Sequence, residues 1–430
     1  MLEPYFDAVN NSCSNRWHGK VSQVIGHLLE SDGPFCSVGE CCEVEAAGRR
    51  FSGEIVGFRG TKVLSMCLER PQGIRYGDRI QAWGQRPVIR AGESLLGRVI
   101  DAAGQPLDSR GPYVAGLSRA VDSASPSPLA RLPIREPLGC GVRAIDGFLT
   151  CGRGQRMGIF GGSGVGKSTL IGMMARGTAA DMTVLALVGE RGREVGEFLE
   201  ELGEAGRARS VVVVSTSDQS PLLRIRAALA ATTIAEYFCA QGKQVLLVID
   251  SLTRFAMAQR EIGLAAGEPP TAKGYTPSVF TLLSRLVERA GRFSHGSITA
   301  FYTVLMEGDD EQDPLVDAVR SLLDGHVLLD RELAARWHYP PISILNSLSR
   351  LMPAICSEEH RNKAAELRSL LALYARSEDL VRIGAYQKGS DAELDKAIVM
   401  LPRIEDFLRQ DAAKMAKLGD NIEQLLGLGN

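Results

Sequence analysis

Nine consecutive residues, Gly161, Gly162, Ser163, Gly164, Val165, Gly166, Lys167, Ser168 and Thr169, have the types and spacing of a phosphate-binding loop. Glycines here let backbone N–H groups close around phosphate oxygens, Lys167 reaches the β- and γ-phosphates, and the Ser168 hydroxyl is a ligand for Mg²⁺. A helix beginning there aims its positive N-terminal end at the same anion. The apolar run Met157–Phe160 precedes the loop, and Leu170, Ile171, Met173 and Met174 follow at helical spacing. That is the strand–loop–helix order such a site requires, and a glycine-rich turn with a surface lysine has no need of it. The implied ligand is a nucleoside triphosphate with Mg²⁺.

Two acids lie at the ends of apolar runs. Asp250 follows Val245–Ile249 directly. It suits either of two roles: holding Mg²⁺ through water, or capping the helix that opens Ser-Leu-Thr-Arg. Glu190 ends the run 183–189, where a carboxylate polarises the water attacking a γ-phosphate. The alternative is that Glu190, Arg191, Arg193, Glu194 and Glu197 form only the solvated face of a charged helix.

The elements that must position these groups follow from texture. The 430 residues are 45% hydrophobic and 23% charged, with net charge −2, a soluble globular composition of about two to four domains. The near-neutral charge argues against nucleic acid as a general partner. No apolar run approaches the ~18 residues of a membrane helix, and no signal pattern opens the chain, so a cytoplasmic location is expected. The nine cysteines include no Cys-x-x-Cys pair, which favours buried reduced thiols over a metal site.

Residues 1–16 are polar with Leu2, Tyr5, Phe6 and Val9 at helix-like spacing, and either dock a partner or fray. Residues 17–83 carry short β-prone runs broken by glycine, the texture of a small β-barrel or sandwich. Residues 84–142 read as a connector stiffened by Pro126, Pro128, Pro133 and Pro137. From 143 to 350, buried strands at 157–160, 183–189, 210–216, 244–250, 297–306 and 326–330 alternate with helices, which predicts a mostly parallel sheet covered on both faces. Ligands of such sheets sit at the carboxyl ends of the strands. Residues 351–430 read as helical throughout.

Longer segments carry a resemblance. GGSGVGKST, LVGERGREVGEFLEE, LLVIDSLTRFAMAQREIGLAAGEPPTAKGYTPSVF, GSITAFYTVLMEGDDEQDP and HYPPISILNSLSRLMP, with GRVIDAAGQPLD upstream, are similar to the rotary F/V-type ATPase superfamily. Within it they resemble the ATPases of type III protein secretion, flagellar or injectisome, over nearly the whole chain. The resemblance implies an N-terminal β-barrel, a central RecA-like α/β domain with a mostly parallel sheet, and an α-helical C-terminal domain.

It implies ATP as substrate, Mg²⁺, and Glu190 as the catalytic glutamate, which argues against a non-catalytic subunit. Asp250 matches the Walker B acid. Arg191 and Arg254 match arginines near the γ-phosphate, Tyr339 the aromatic that stacks on adenine, and Arg350 the arginine finger that enters the neighbouring subunit's site. Without the resemblance, a lone arginine in ISILNSLSRLMP reads as an internal salt bridge. The implied assembly is a homohexamer energising export of unfolded proteins, the flagellar reading being preferred. Its implied partners are a peripheral-stalk-like regulator at residues 1–16, a central coiled-coil stalk, export substrates with their chaperones, and the export gate at the inner membrane. The C-terminal LVRIGAYQKGSDAELDKAIVMLPRIEDFLRQ replaces the acidic motif of a synthase β-subunit, which argues against proton-driven synthesis. An RNA-dependent ring helicase or terminator would share the core, but would need an aromatic-rich barrel with basic interleaving.

Overall fold

The computed structural model describes residues 17–114, 116–306 and 313–429; the segment expected to bind a regulator, 1–16, lies outside them. Six antiparallel strands, His18–Ile25, Leu28–Asp32, Cys41–Ala46, Arg49–Arg59, Lys62–Cys67 and Arg79–Ala82, close a barrel in the order first, second, fifth, fourth, third, sixth. Alternation along each strand sends Val21, Leu29, Val44, Phe51, Ile55 and Ile80 into its interior. Closure leaves no edge to pair with other chains. A half-buried ion pair, Glu54 with Arg226 at 3.0 Å, ties the barrel wall to the helix Pro221–Ala240 of the next layer.

The centre of the molecule is a nine-stranded sheet. Its spatial order is Leu348–Ser349, Gly325–Leu328, Arg156–Gly161, Ser297–Leu305, Gln244–Asp250, Met182–Glu190, Ser210–Thr216 and Val99–Asp101, with Gly291–Arg292 beside Ser297–Leu305. Pairing is parallel except at the short strands Leu348–Ser349 and Gly291–Arg292. Successive strand residues serve opposite cores. Val184, Ala186 and Val188 join the helices Pro221–Ala240, Leu252–Ala266 and Pro277–Val287, whereas Leu185 and Leu187 join Lys167–Gly177 and Gly192–Ala208. Two covered faces explain why these strands are almost unbroken apolar runs. The edge strand Val99–Asp101 comes from the stretch read as connector, and it pairs with Ser210–Thr216.

Three C-terminal helices, Glu358–Arg382, Ala392–Leu408 and Leu418–Leu426, pack on the short helix Arg143–Phe148. Buried polar groups pin them there. His360 Nε2 meets Gly147 O at 2.8 Å, Gln410 Nε2 donates to Gly141 O at 2.9 Å, and Asn421 Nδ2 donates to Asp146 Oδ2 at 2.8 Å. Asp146 is fully buried, and burial pushes its pKa up to about 7 although Cys140 N–H and Asn421 donate to it.

The folded chain keeps a proton on Asp146 that the unfolded chain releases near pH 4. The native state binds more protons in that window, so this residue removes stability as pH climbs from about 4 to 7. Asp146→Asn retains an acceptor for Cys140 N–H at Oδ1, and its new NH2 pairs with the partnerless Oδ1 of Asn421 once that amide turns over to exchange its Nδ2 and Oδ1. The melting temperature of Asp146→Asn relative to the wild-type chain should therefore rise by a few degrees between about pH 5 and pH 8. A difference that stays flat across that range would mean that Asp146 ionises without penalty.

Candidate active site

The phosphate-loop strand Arg156–Gly161 runs into the helix Lys167–Gly177 through a loop whose sharpest turn is Gly166, at φ +102° in the left-handed region. Only glycine adopts that conformation cheaply. Lys167 is buried, and its Nζ donates to Gly161 O at 3.1 Å and Gly162 O at 2.6 Å. Burial lowers its pKa, with Asp250 and Glu190 opposing. Val165 anchors the loop in the core, while Ser163, Gly164 and Ser168 are exposed and Thr169 is half-buried. The guanidinium of Arg331 lies against the loop, since a Cβ on Gly162 would stand 2.3 Å from Arg331 Nη2. Arg331 carries no local pattern that marks it in the sequence.

Parallel pairing brings the acids to the same sheet edge. Asp250 neighbours Leu187 in register, three residues before Glu190. The helix after Asp250 is capped by Ser251, whose side chain accepts from Arg254 N–H. Capping is thus not the role of Asp250, which is buried and accepts from Thr303 Oγ1. Burial raises its pKa, and the Thr303 hydrogen bond and Lys167 act against that. Glu190 is half-buried at the strand's end, and burial together with a hydrogen bond to Glu194 pushes it up to about 8, while Glu194 is lowered by the same bond. The opposite shifts make Glu190 the weaker acid of the two neighbouring carboxyls. Glu190 is thereby set apart from the solvated charges Arg191 and Arg193, which pair with Glu194 and Glu197 at 3.9 and 3.4 Å.

Lys167, Ser168, Glu190, Arg191, Asp250 and Arg254 line one cleft of about 350 Å³. Arg254 packs across Gly189, whose φ of +72° and lack of a side chain admit it: a Cβ there would meet Arg254 Cβ at 3.0 Å. The Nε of Arg254 is buried with no acceptor, an arrangement suited to an incoming anion. The oxygens of Ser168 and Asp250 form a hard donor set of the kind Mg²⁺ takes, and the upward shift of Asp250 leaves room for a cation to stabilise its charge. Tyr339 turns its Cδ1–Cε1 edge toward Gly166, within 3.9 Å of a Cβ built there. Beside it stands Trp337, 85% exposed, which the sequence motifs do not single out.

Arg350 is not in this cleft. Its N–H bonds to Asp324 O at 2.9 Å, and Asp324 bonds to Arg156 at the opposite end of the phosphate-loop strand. Five residues separate that end from Gly161, about 17 Å at the usual strand rise. Arg350 is exposed and forms no ion pair among the described residues.

Residues 141–349 match the nucleotide-binding domain of the ATP synthase alpha/beta family, 21–84 its beta-barrel domain, and 356–427 the T3SS EscN ATPase C-terminal domain. The flagellum-specific ATP synthase of Bacillus subtilis is 50% identical over 98% of this chain and 97% of its own length. The SPI-2 type 3 secretion system ATPase of Salmonella typhimurium is 50% identical over 92% of this chain and 90% of its own. The solved structure of the assembled ATPase EscN from enteropathogenic E. coli superposes with TM-score 0.91 at 45% identity, covering 95% of this chain and 99% of that one.

Lys167→Ala removes the buried cation from the loop, so it should abolish binding of ATP measured calorimetrically. Wild-type affinity in that variant would place the triphosphate elsewhere.

Proposed function

This chain belongs to the ATP synthase alpha/beta family, with flagellum-specific and type 3 secretion ATPases as relatives, and hydrolyses ATP; on that premise we propose a homohexameric ring that energises export of unfolded proteins through a type III apparatus. The flagellar apparatus is preferred, on the flagellum-specific relatives of Bacillus subtilis and Treponema pallidum, each 50% identical, over 98% and 99% of the chain. A peripheral-stalk-like regulator at residues 1–16, a central stalk like that of EscN with EscO, substrates with chaperones, and the export gate complete the proposal. The ring works in the cytoplasm against the inner membrane. Among the described residues, no helix is long and apolar enough to cross a membrane.

In this reading the loop N–H groups and Lys167 hold the β- and γ-phosphates, and Lys167 exchanges its loop carbonyls for phosphate oxygens. Arg254 and Arg191 add positive charge beside the γ-phosphate, and Tyr339 stacks on the adenine. Glu190 accepts a proton from the attacking water. Ser168 and Asp250 would hold Mg²⁺, which would supply positive charge against the phosphate oxygens. The observation that carries the ring is the position of Arg350: exposed, without an ion pair among the described residues, and a strand's length from its own loop. A guanidinium so placed acts on a neighbour's nucleotide.

Glu190→Gln should keep ATP binding and lose about 10²–10⁴-fold in turnover; near-normal turnover would make another carboxylate the acceptor of the water's proton.

Arg350→Ala should bind ATP yet lose roughly 10³-fold or more in rate, because a finger in trans stabilises transition-state charge. Each competent interface needs Lys167 from one subunit and Arg350 from the next. Rings assembled at random from equal Arg350→Ala and Lys167→Ala chains hold both good halves at about a quarter of interfaces. Single-turnover hydrolysis should then return from two inactive proteins. Mixed rings with no hydrolysis would rule out Arg350 as a finger in trans.

A further inference from the structure

The helix Arg331–Ala335 ends with His338 N–H bonded to Leu333 O at 3.0 Å and Trp337 N–H bonded to Ala334 O at 3.0 Å. These paired bonds make a Schellman helix end, whose first residue past the cap adopts the left-handed conformation and is usually glycine. Here it is Trp337, at φ +57°. A bulky side chain in that region is an outlier, and burial does not explain it, because the indole is 85% exposed. Its recorded ring contact is with Tyr339, centroids 6.3 Å apart and planes at 85°. A strained, exposed aromatic next to a ligand site points to recognition.

The two rings form a corner. One side is Tyr339, which also borders the phosphate loop at Gly166; the other is Trp337, standing almost perpendicular to it. A nucleotide held by its phosphates at Gly161–Lys167 carries its base outward past Gly166 toward that corner. We infer that Trp337 is the second wall of the base site, Tyr339 stacking on the purine and Trp337 meeting the purine's edge with its face. Aromatic pairs favour this edge-to-face arrangement, since a positive ring edge meets a negative face. Trp337 therefore determines how strongly the base, as distinct from the phosphate chain, contributes to binding. This rests on the nucleotide site proposed above.

The test is calorimetric binding of ATP and of inorganic tripolyphosphate, each with Mg²⁺, to the full-length wild-type chain, Trp337→Gly and Trp337→Phe. Glycine suits the left-handed backbone, so Trp337→Gly should melt no lower than the wild-type chain and misfolding does not confuse the result. The expected outcome is an affinity for ATP weakened roughly 2- to 10-fold in Trp337→Gly, unchanged affinity for tripolyphosphate, and partial recovery in Trp337→Phe. In steady state the same loss should appear in KM with kcat retained. Unchanged ATP affinity in Trp337→Gly overturns the inference, as does equal weakening of both ligands. A change only in the concentration dependence of assembly overturns it too, by making Trp337 a subunit contact. Failure of tripolyphosphate to bind the wild-type chain strikes the phosphate-site reading instead, and the inference with it.

Discussion

Parallel register across Arg156–Gly161, Ser297–Leu305, Gln244–Asp250 and Met182–Glu190 is the constraint on which the site depends. Because all four strands run the same way, their carboxyl ends open on one edge of the sheet. Lys167, Asp250 and Glu190 are far apart in sequence, yet Asp250 and Glu190 end two of these strands and Lys167 follows a third through the loop 162–166. Reversing any strand would move its terminal group to the opposite edge. The register also explains why Arg350, attached to the antiparallel strand Leu348–Ser349, lies at the wrong end for its own loop.

Gathering those groups produces an electrostatic arrangement that is incomplete without a ligand. Asp250 is buried with a raised pKa, Glu190 is pushed up by burial beside Glu194, Lys167 is folded onto carbonyls of its own loop, and Arg254 Nε has no acceptor. Unmet groups of this kind are costly in a low-dielectric cleft. A polyphosphate supplies acceptors for the two cations, and a hard cation suits the Ser168 and Asp250 oxygens. The barrel and the helical domain are pinned by polar contacts of their own, such as Arg226 with Glu54 and Gln410 with Gly141.

Features set by local pattern were legible from sequence. The central strands announced themselves as apolar runs because both faces of the sheet are covered, and the phosphate loop because its chemistry demands glycines in a given order. Features set by tertiary placement were not. Val99–Asp101 is too short for any periodicity, so its role as the edge strand depends on its partner Ser210–Thr216. Arg331 reaches Gly162 only through the fold, and the raised pKa of Glu190 requires knowing how far the strand's end is buried beside Glu194. Asp250 and Ser251 are equally good caps on paper, and burial of Asp250 under Thr303 separates them. The left-handed backbone at Trp337 contradicts local preference, which is why no residue pattern foretold it.

The account's central claim is that one chain cannot complete its own catalytic site. It is tested most directly by measuring ATP turnover per chain across a dilution series while the oligomer distribution is weighed in the same samples. Turnover per chain should rise steeply with concentration and track the fraction of chains in rings. Turnover that is constant down to concentrations where only single chains remain would contradict the claim.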